Sequence, residues 1–377
     1  MDFGFSEDQE MLRQSARDFL GKECPMTLVR KLMEDESGHS PELWKKMADL
    51  GWLGLILPEE YGGVGLGFVD LVVVLEEMGR VVLPGPFLST VVLAGLAIAE
   101  SGSAEQKKKY LPRIAAGELV ATLALIEPSG RWDAEGIAAT ATPDGDGWKL
   151  DGTKLFVPDG HVAELLVVAA RKHGSKGNDG VSLFVVDAKA PGVKTTALKT
   201  MDQTRKLAEV ALAGVRVGKE ALLGAEGGSW KAIERIADRA KVALCAEMCG
   251  GAQRVLDMSV EYAKVREQFG KPIGSFQAIQ HKCANMMVQV ESAKSATYYA
   301  AWAVANDVPE APLAAAMAKA YCSDAYRYVA GEGIQIHGGI GFTWEHDMHI
   351  YFKRAKSSEV TFGDATLNRE IVAQHIL

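Results

Sequence analysis

The hydrophobic pattern of this chain changes its period twice, and this change restricts the fold more than any other feature. The first third shows apolar side chains at helical spacing, and residues 120–217 show short apolar runs separated by Gly, Asp, Pro and Lys clusters. Helical spacing returns near residue 227 and persists to the end. Helical spacing predicts amphipathic helices, and short runs between turn residues predict strands. The sequence therefore predicts an α+β protein with a β-domain between two helical parts.

The length of 377 residues corresponds to two or three domains at about 150 residues each. We expect an N-terminal α-helical domain at 1–118, a middle antiparallel β-sandwich or barrel domain at 119–226, and a C-terminal four-helix-bundle domain at 227–377. The strands are expected at Ala121–Ile126, Ile137–Ala141, Glu164–Ala170, Val181–Val186 and Glu209–Leu212.

Composition and charge exclude several classes of protein. The formal net charge is −8 and Lys107–Lys109 is the only dense basic run, so we expect no nucleic-acid partner. The longest apolar run, Val91–Ala99, is far shorter than the ~20 residues of a membrane helix. Met1–Glu10 contains no signal core, and the five cysteines are typical of reduced thiols, so we expect a cytoplasmic protein without a membrane span. His346 and His349 have no third ligand nearby in the sequence, so no metal is expected.

Two segments of the C-terminal third are candidates for binding a phosphorylated ligand. In Tyr262–Gln277 we expect a helix that ends at Gly270, with Arg266 and Gln268 in its last turns. A guanidinium group can bind a pyrophosphate bidentately, although an ordinary surface arginine is the alternative. In Gln335–Phe342 three glycines allow a backbone to approach a ligand closely, and a plain helix C-cap is the alternative.

Glu247 is the only charged residue between Val242 and Gln253. It continues an apolar helical stripe that includes Ala240 and Leu244. A carboxylate in this position is either a general base or a buried structural residue paired with an arginine of a neighbouring helix.

Five segments occur in order along nearly the full length of the chain: Leu57–Gly63, Glu127–Pro128, Gly152–Phe156, Arg266–Gly270 with Gln277, and Gln335–Phe342. Together they resemble the acyl-CoA dehydrogenase family of flavoproteins, which have an α-domain, a β-domain and a second α-domain. The resemblance implies FAD-dependent α,β-desaturation of an acyl-CoA thioester, in which a carboxylate removes the α-proton and the β-hydrogen leaves as hydride to FAD.

The resemblance also implies the contacts of FAD. Arg266, Gln268 and Phe269 would meet the pyrophosphate and adenosine of a FAD molecule in a neighbouring chain. Such a protein is a homotetramer, or a hetero-oligomer with a related subunit, and it passes electrons to an electron-transfer flavoprotein. Further FAD contacts are implied for Gln277, Gln335, Gly338, Gly339, Ile126 and Phe156.

The chain departs from the family pattern at the catalytic positions. Phe362 stands where many members have the catalytic Glu, Ala240 stands where branched-chain members have theirs, and Pro158 replaces the Thr near flavin N5. Glu247 is therefore our first candidate for the base, and Asp364 is the second. The displaced base favours a branched, alicyclic or otherwise bulky acyl-CoA.

Asp238 and Arg239 correspond to positions where the family approaches acyl-CoA, and a solvated helix face is the alternative. The sequence leaves two other functions open. One is a non-catalytic subunit that completes the FAD site of a hetero-oligomer. The other is a flavoprotein with a different reaction, such as the oxidation or reduction of an enoyl-CoA.

Overall fold

The computed structural model describes residues 4–377. Residues 1–3, which the sequence assigns to the N-terminal domain and to the segment without a signal core, lie outside the described residues. The described chain separates into two compact units. The helical unit contains the described residues up to Lys31 with Gly67–Leu83 and Lys241–Leu377, and the mixed unit contains Leu32–Leu66 and Pro84–Ala240.

Helices account for most of the described chain, and several begin at a side chain that caps the first turn. Ser6 accepts a hydrogen bond from the N–H of Gln9, while the Gln9 side chain accepts one from the N–H of Ser6, which makes a capping box. The segment Leu88–Gly95 is π-helical. The α-helices are α1 (Glu7–Glu23), α2 (Met26–Glu34), α3 (Pro41–Asp49), α4 (Phe68–Arg80), α5 (Leu96–Ser101), α6 (Ala104–Ala115), α7 (Trp230–Val265), α8 (Gln277–Ala305), α9 (Ala311–His337), α10 (Met348–Val360) and α11 (Ala365–Ile376).

One sheet of eight strands forms the β-part of the mixed unit. Its strands follow the order β6-β7-β3-β2-β4-β5-β8, and β1 pairs with β4. A separate two-stranded ribbon lies in the helical unit. The strands are β1 (Ala121–Ala124), β2 (Thr140–Asp144), β3 (Gly147–Pro158), β4 (Leu165–Lys172), β5 (Val181–Asp187), β6 (Val193–Leu198), β7 (Leu207–Val217), β8 (Leu222–Leu223), β9 (Glu267–Gln268) and β10 (Lys271–Pro272).

The sheet differs from a purely antiparallel one at β4. Both β1 and β2 run parallel to β4, with Ala121 opposite Leu165 and Thr140 opposite Arg171. The expected strand at residues 137–141 was also wrong at its start, because β2 begins only at Thr140. The N–H groups of Ala138 and Ala139 donate to the carboxylate of Glu127 at 2.8 and 3.0 Å instead of to a neighbouring strand.

The core of the helical unit is built around α9, whose buried face consists largely of alanine. Small side chains let helices approach closely, and α9 packs against α8, α10 and α11. Residues 227–377 thus contain five helices, α7 to α11, one more than the expected bundle of four. The additional helix arises because the chain turns at Gly363, which has a φ of 85°, and Asp364 then caps α11.

A glycine pair sets the crossing of α4 and α7. A Cβ atom on Gly79 would lie 2.0 Å from the carbonyl oxygen of Glu247, and one on Gly250 would lie 1.8 Å from the carbonyl oxygen of Glu76. No side chain larger than hydrogen fits at either distance, because real Cβ atoms do not approach oxygen so closely. The two helix backbones are therefore in direct contact at this point.

Buried charges flank the crossing. Glu77 accepts two hydrogen bonds from Arg17 of α1, at 3.0 and 2.7 Å, and Arg80 bridges Glu77 to Asp257 of α7. Burial raises the pKa of Glu76, whose carboxylate accepts a 2.5 Å hydrogen bond from Tyr298 of α8. This network joins four helices, because each buried carboxylate meets a donor from another helix.

We expect Gly250→Ala to lower the free energy of unfolding by about 3 kcal/mol, because the added methyl group forces α4 away from α7. Gly331→Ala in α9 is the matched control, since a Cβ there meets no atom within 4 Å. This control should raise the free energy of unfolding by about 0.5–1 kcal/mol through helix propensity. Urea unfolding of the two variants measures the difference, and equal stabilities would contradict the proposed contact.

Candidate functional site

Glu247 lies on the buried face of α7, with only 8% of its surface exposed. Its carboxylate is 3.7 Å from the guanidinium of Arg354 on α10, which is also buried. Arg354 additionally donates to the carbonyl oxygen of Leu83 at 3.4 Å. This is the arrangement of the structural alternative, a buried Glu paired with an arginine of a neighbouring helix. A fixed cation would also orient the carboxylate of a base, so the role of Glu247 as base stays a prediction.

The segment that the sequence comparison assigned to the position of the family's catalytic Glu, around Phe362, is tightly held. Phe362 is buried and has a φ of 59°, a left-handed conformation that is unfavourable for a bulky residue. Lys319 of α9 donates to the carbonyl oxygens of Glu359 and Gly363, each at 2.9 Å. Asn368 donates to the carbonyl oxygen of Gly363 at 3.1 Å. The backbone of this segment is thus fixed from two helices.

Lys319 is a residue that sequence reasoning missed. It is completely buried, and its third hydrogen bond goes to the hydroxyl of Ser323 at 2.8 Å. Burial lowers the pKa of Lys319. The available signal was a single lysine within an alanine-rich stretch of a long helix.

Asp364, the second candidate for the base, is exposed at the start of α11. Its carboxylate accepts a hydrogen bond from the N–H of Leu367 at 2.8 Å, which is an N-cap. The N-cap explains Asp364 structurally, and its catalytic role also stays a prediction.

Arg266, Gln268 and Phe269 lie on a ribbon and not in a helix, so the expected helix end at Gly270 was wrong. α7 ends at Val265, and β9 and β10 pair around a two-residue turn formed by Phe269 and Gly270. Both turn residues have positive φ, 54° and 75°, as a type I′ hairpin turn requires. The turn presents the ring of Phe269 to solvent with 92% of its surface exposed.

The ribbon and the glycine segment lie side by side in the helical unit. The ring of Tyr262, one turn before Arg266, stacks on His337 with the ring centroids 4.5 Å apart. His337 directly precedes Gly338, which ends α9 with a φ of 64°. The structure therefore brings together the two segments that the sequence proposes for FAD. Gln277 begins α8 and is exposed.

Residues of the helical unit fit the polar half of FAD. Arg266 is exposed, and its guanidinium makes no ion pair or hydrogen bond within residues 4–377. A Cβ on Gly338 or Gly339 would meet no atom within 4 Å, so the backbone there is open to a ligand, and Gln335 is exposed beside it. An arginine, exposed amides and an open glycine backbone are suitable partners for a pyrophosphate.

In the mixed unit, the residues assigned to the flavin differ in exposure. Phe156 has a φ of 52° and 53% of its surface exposed, whereas Ile126 is buried. Pro158 has no N–H or hydroxyl to donate, and its carbonyl oxygen accepts a 2.6 Å hydrogen bond from Thr122. The fit to the flavin ring is therefore weaker than the fit to the pyrophosphate.

Glu127 is buried, and its contacts stabilise the sheet. Its carboxylate accepts a hydrogen bond from Lys154 at 2.6 Å, and both side chains are buried. Burial lowers the pKa of Lys154 to about 8. The pair holds the loop that contains Ala138 and Ala139 against β3.

The proposed substrate contacts lie in the mixed unit. Arg239 of α7 forms an ion pair with Glu100 of α5. Asp238 is partly buried. The ion pair gives Arg239 a structural partner, and contact of either residue with acyl-CoA stays a prediction.

No helix among residues 4–377 has both the length and the apolar character needed to cross a membrane. In the same range, His, Cys, Asp and Glu side chains do not gather in groups of three that could hold a metal ion.

Three family descriptions match consecutive parts of the chain. The N-terminal domain of acyl-CoA dehydrogenase matches residues 6–118, the middle domain matches 122–215 and the C-terminal domain matches 227–377. The chain therefore belongs to the acyl-CoA dehydrogenase family, and it is an oxidoreductase acting on CH–CH bonds. The predicted order of a helical, a β and a second helical domain is confirmed.

Similar proteins include members with different reactions. The chain is 35% identical to acyl-CoA dehydrogenase IpdE2 of Mycolicibacterium smegmatis, over 95% of both chains. It is 32% identical to acryloyl-CoA reductase (NADH) of Anaerotignum propionicum, over 100% of this chain and 96% of that protein. Among solved structures, a chain of the ChsE4–ChsE5 complex from Mycobacterium tuberculosis superposes with a TM-score of 0.91 at 31% identity, covering 100% of this chain and 99% of that one.

Lys154→Met should remove a pH dependence of stability. The pKa of Lys154 is lowered from 10.5 to about 8 in the fold, so between these values the unfolded state binds more protons. The free energy of unfolding therefore rises with pH in this window. Below the window Lys154 is protonated in both states, and its buried charge then destabilises the fold most. Urea unfolding across the window should show a smaller rise for Lys154→Met than for the wild type. Lys149→Met, at an exposed residue of the same strand, should keep the rise, and a Lys154→Met curve parallel to the wild type would contradict the shift.

Proposed function

We propose that the chain is a FAD-dependent acyl-CoA dehydrogenase that desaturates an acyl-CoA thioester between the α- and β-carbons. The observation that carries this proposal is the stacking of Tyr262 on His337, which places the arginine-bearing ribbon beside the open glycine backbone. Family membership supports the same assignment, because members of this family typically bind FAD.

The residues of this chain bind and orient the cofactor. The guanidinium of Arg266 and the amide of Gln268 would hold the pyrophosphate, and the ring of Phe269 would cover the adenosine. Gly338 and Gly339 would let the backbone approach the same part of the cofactor, because neither carries a side chain and a Cβ there would meet no atom within 4 Å. FAD, when bound, accepts the β-hydrogen of the substrate as a hydride. The exposed position of the Phe269 ring supports a FAD site that is shared with a second chain.

Glu247 is the proposed base that removes the α-proton. Its burial and its single charge in an apolar segment support this role, and Arg354 would keep it oriented. Glu247 lies two helical turns, about 10 Å, beyond Ala240 on α7. The substrate would have to reach further along α7, which favours a branched, alicyclic or otherwise bulky acyl group. Asp364 is the second candidate for the base.

A non-catalytic subunit that completes the FAD site of a hetero-oligomer is the second candidate function. The observation in its favour is that Phe362 is buried where the family's catalytic Glu is expected. The similar chain in the ChsE4–ChsE5 complex belongs to an assembly of two different proteins. Such a chain, purified alone, should be colourless or inert, and it should gain activity with a related chain encoded beside its gene.

The electron acceptor and the direction of the reaction are separate questions. We propose an electron-transfer flavoprotein as the acceptor, acting in the cytoplasm, and the five cysteines that are free thiols support a reducing compartment. The similarity to acryloyl-CoA reductase (NADH) makes reduction of an enoyl-CoA the alternative direction. Stopped-flow reaction of the reduced protein with oxygen separates a flavoprotein with another reaction from a dehydrogenase that passes its electrons to an electron-transfer flavoprotein.

Acyl-CoA thioesters should bleach the flavin band at about 450 nm under anaerobic conditions, because hydride transfer reduces the cofactor. Glu247→Gln should abolish bleaching and also the exchange of the α-proton in D2O, while leaving FAD bound. Asp364→Asn is the matched control and should retain both activities. Full activity of Glu247→Gln would assign the base elsewhere, and a yellow protein that no thioester bleaches would contradict the dehydrogenase proposal.

Arg266→Gln should lower the FAD content of the purified protein at least tenfold, because the bidentate contact with the pyrophosphate is lost. The melting temperature of the apoprotein should not change, since Arg266 is exposed. Lys264→Gln, an exposed cation of the last turn of α7, is the control and should retain FAD. Absorbance of the released flavin measures the content. Equal FAD in both variants would remove Arg266 from the proposed site.

A further inference from the structure

A cavity of about 290 Å³ opens in the helical unit between α1, α4, α7 and α10. None of its lining residues belongs to the proposed contacts with FAD or acyl-CoA. Its volume is at the lower end of the range for small-molecule pockets, about 300–1,000 Å³. It therefore has room for a small organic ligand.

Three arginines and a single carboxylate line the cavity. Arg17 is committed to Glu77 through two hydrogen bonds, and Arg80 divides its contacts between Glu77 and Asp257. Among residues 4–377, Arg254 has a long contact of 3.8 Å with Glu261, and the Tyr351 hydroxyl donates to the carbonyl oxygen of Arg80 at 2.6 Å. A guanidinium has five N–H donors, so Arg254 retains donors that can face an anion. The cavity thus has an excess of positive charge.

The rest of the lining is apolar. Leu20, Met26 and Val81 contribute hydrocarbon surface. Burial raises the pKa of Cys24 to about 12, so its thiol stays neutral and forms part of the same apolar wall. A fully hydrated inorganic anion has no hydrocarbon surface to pack against this apolar wall.

We propose that this cavity binds a small carboxylate with a short apolar chain. The carboxylate meets the guanidinium of Arg254, with Arg80 beside it, and the chain lies against Leu20, Met26 and Val81. Arg–carboxylate pairs are bidentate and fix the orientation of the ligand, while the apolar wall favours a hydrocarbon tail over inorganic phosphate. The assignment depends only on residues of the helical unit and is independent of the proposed function.

Gly21 of α1 offers a way to close the cavity without disturbing the fold. It lines the cavity, a Cβ built on it meets no atom within 4 Å, and its φ is not in the left-handed region. Gly21→Leu should therefore fill the space that the ligand's chain would occupy. The same substitution should keep or raise the melting temperature, because leucine has the higher helix propensity.

Isothermal titration of the full chain with hexanoate, hexanol and inorganic phosphate tests the proposal. Hexanoate should bind saturably in the millimolar range, and hexanol and phosphate should not bind. Gly21→Leu and Arg254→Gln should each weaken hexanoate binding at least tenfold. Arg113→Gln, an exposed arginine of α6 outside the cavity, is the matched control and should bind like the wild type.

Other results would overturn the assignment. Phosphate binding as strong as hexanoate binding would indicate a simple anion site, and equal binding of hexanol would indicate a purely apolar one. Hexanoate binding that survives both Gly21→Leu and Arg254→Gln would place the ligand elsewhere. Melting curves identify a variant that fails to fold. In that case, hexanoate binding to the other variant tests the proposal.

Discussion

The backbone contact of α4 with α7 is the constraint on which the helical unit depends. Gly79 and Gly250 have no Cβ atom that would keep the two helices apart. Each glycine therefore lies against a backbone carbonyl oxygen of the other helix. Contact at this distance fixes the rotation of α7 about its own axis. It therefore decides that Glu247 faces Arg354. A shift of α7 by one residue would bury Glu247 without this partner, which costs several kcal/mol.

The proposed cofactor contacts depend on a different kind of constraint, the geometry of a short ribbon. A helix that continued past Val265 would point Arg266 and Gln268 in directions set by the helical period. The type I′ turn at Phe269 and Gly270 instead presents them on a two-stranded projection. The stack of Tyr262 on His337 anchors the base of this projection beside Gly338. A ribbon that is held at its base and exposed at its turn is well placed to contact another molecule.

Much of the fold could be predicted from the sequence, because its signals are local. The periods of hydrophobicity give the order of the domains, and a capping residue such as Ser6 followed by Gln9 is typical of a helix start. The end of α7 was missed because it depends on a phenylalanine in a left-handed conformation, which propensity argues against. The start of β2 was missed because its preceding N–H groups bind Glu127, a contact that no periodicity encodes.

The candidate site was less predictable than the fold. Its residue types could be named from motifs, but Arg354 as the partner of Glu247 is a long-range pairing that appears only once the helices are packed. The role of Lys319 could not be predicted either, because its partners are backbone carbonyl oxygens of a segment distant in sequence.

The way Lys319 holds that segment has a consequence for how such a protein can change. Lys319 donates to the carbonyl oxygens of Glu359 and Gly363, and Asn368 donates to that of Gly363. Every amino acid provides such a carbonyl oxygen. The hydrogen bonds that hold the segment therefore do not depend on the side chain at position 362. A lineage could exchange the residue there, lose or regain a carboxylate, and leave the surrounding architecture unaltered. The framework that positions a reactive group would then persist after the group itself has moved to another helix.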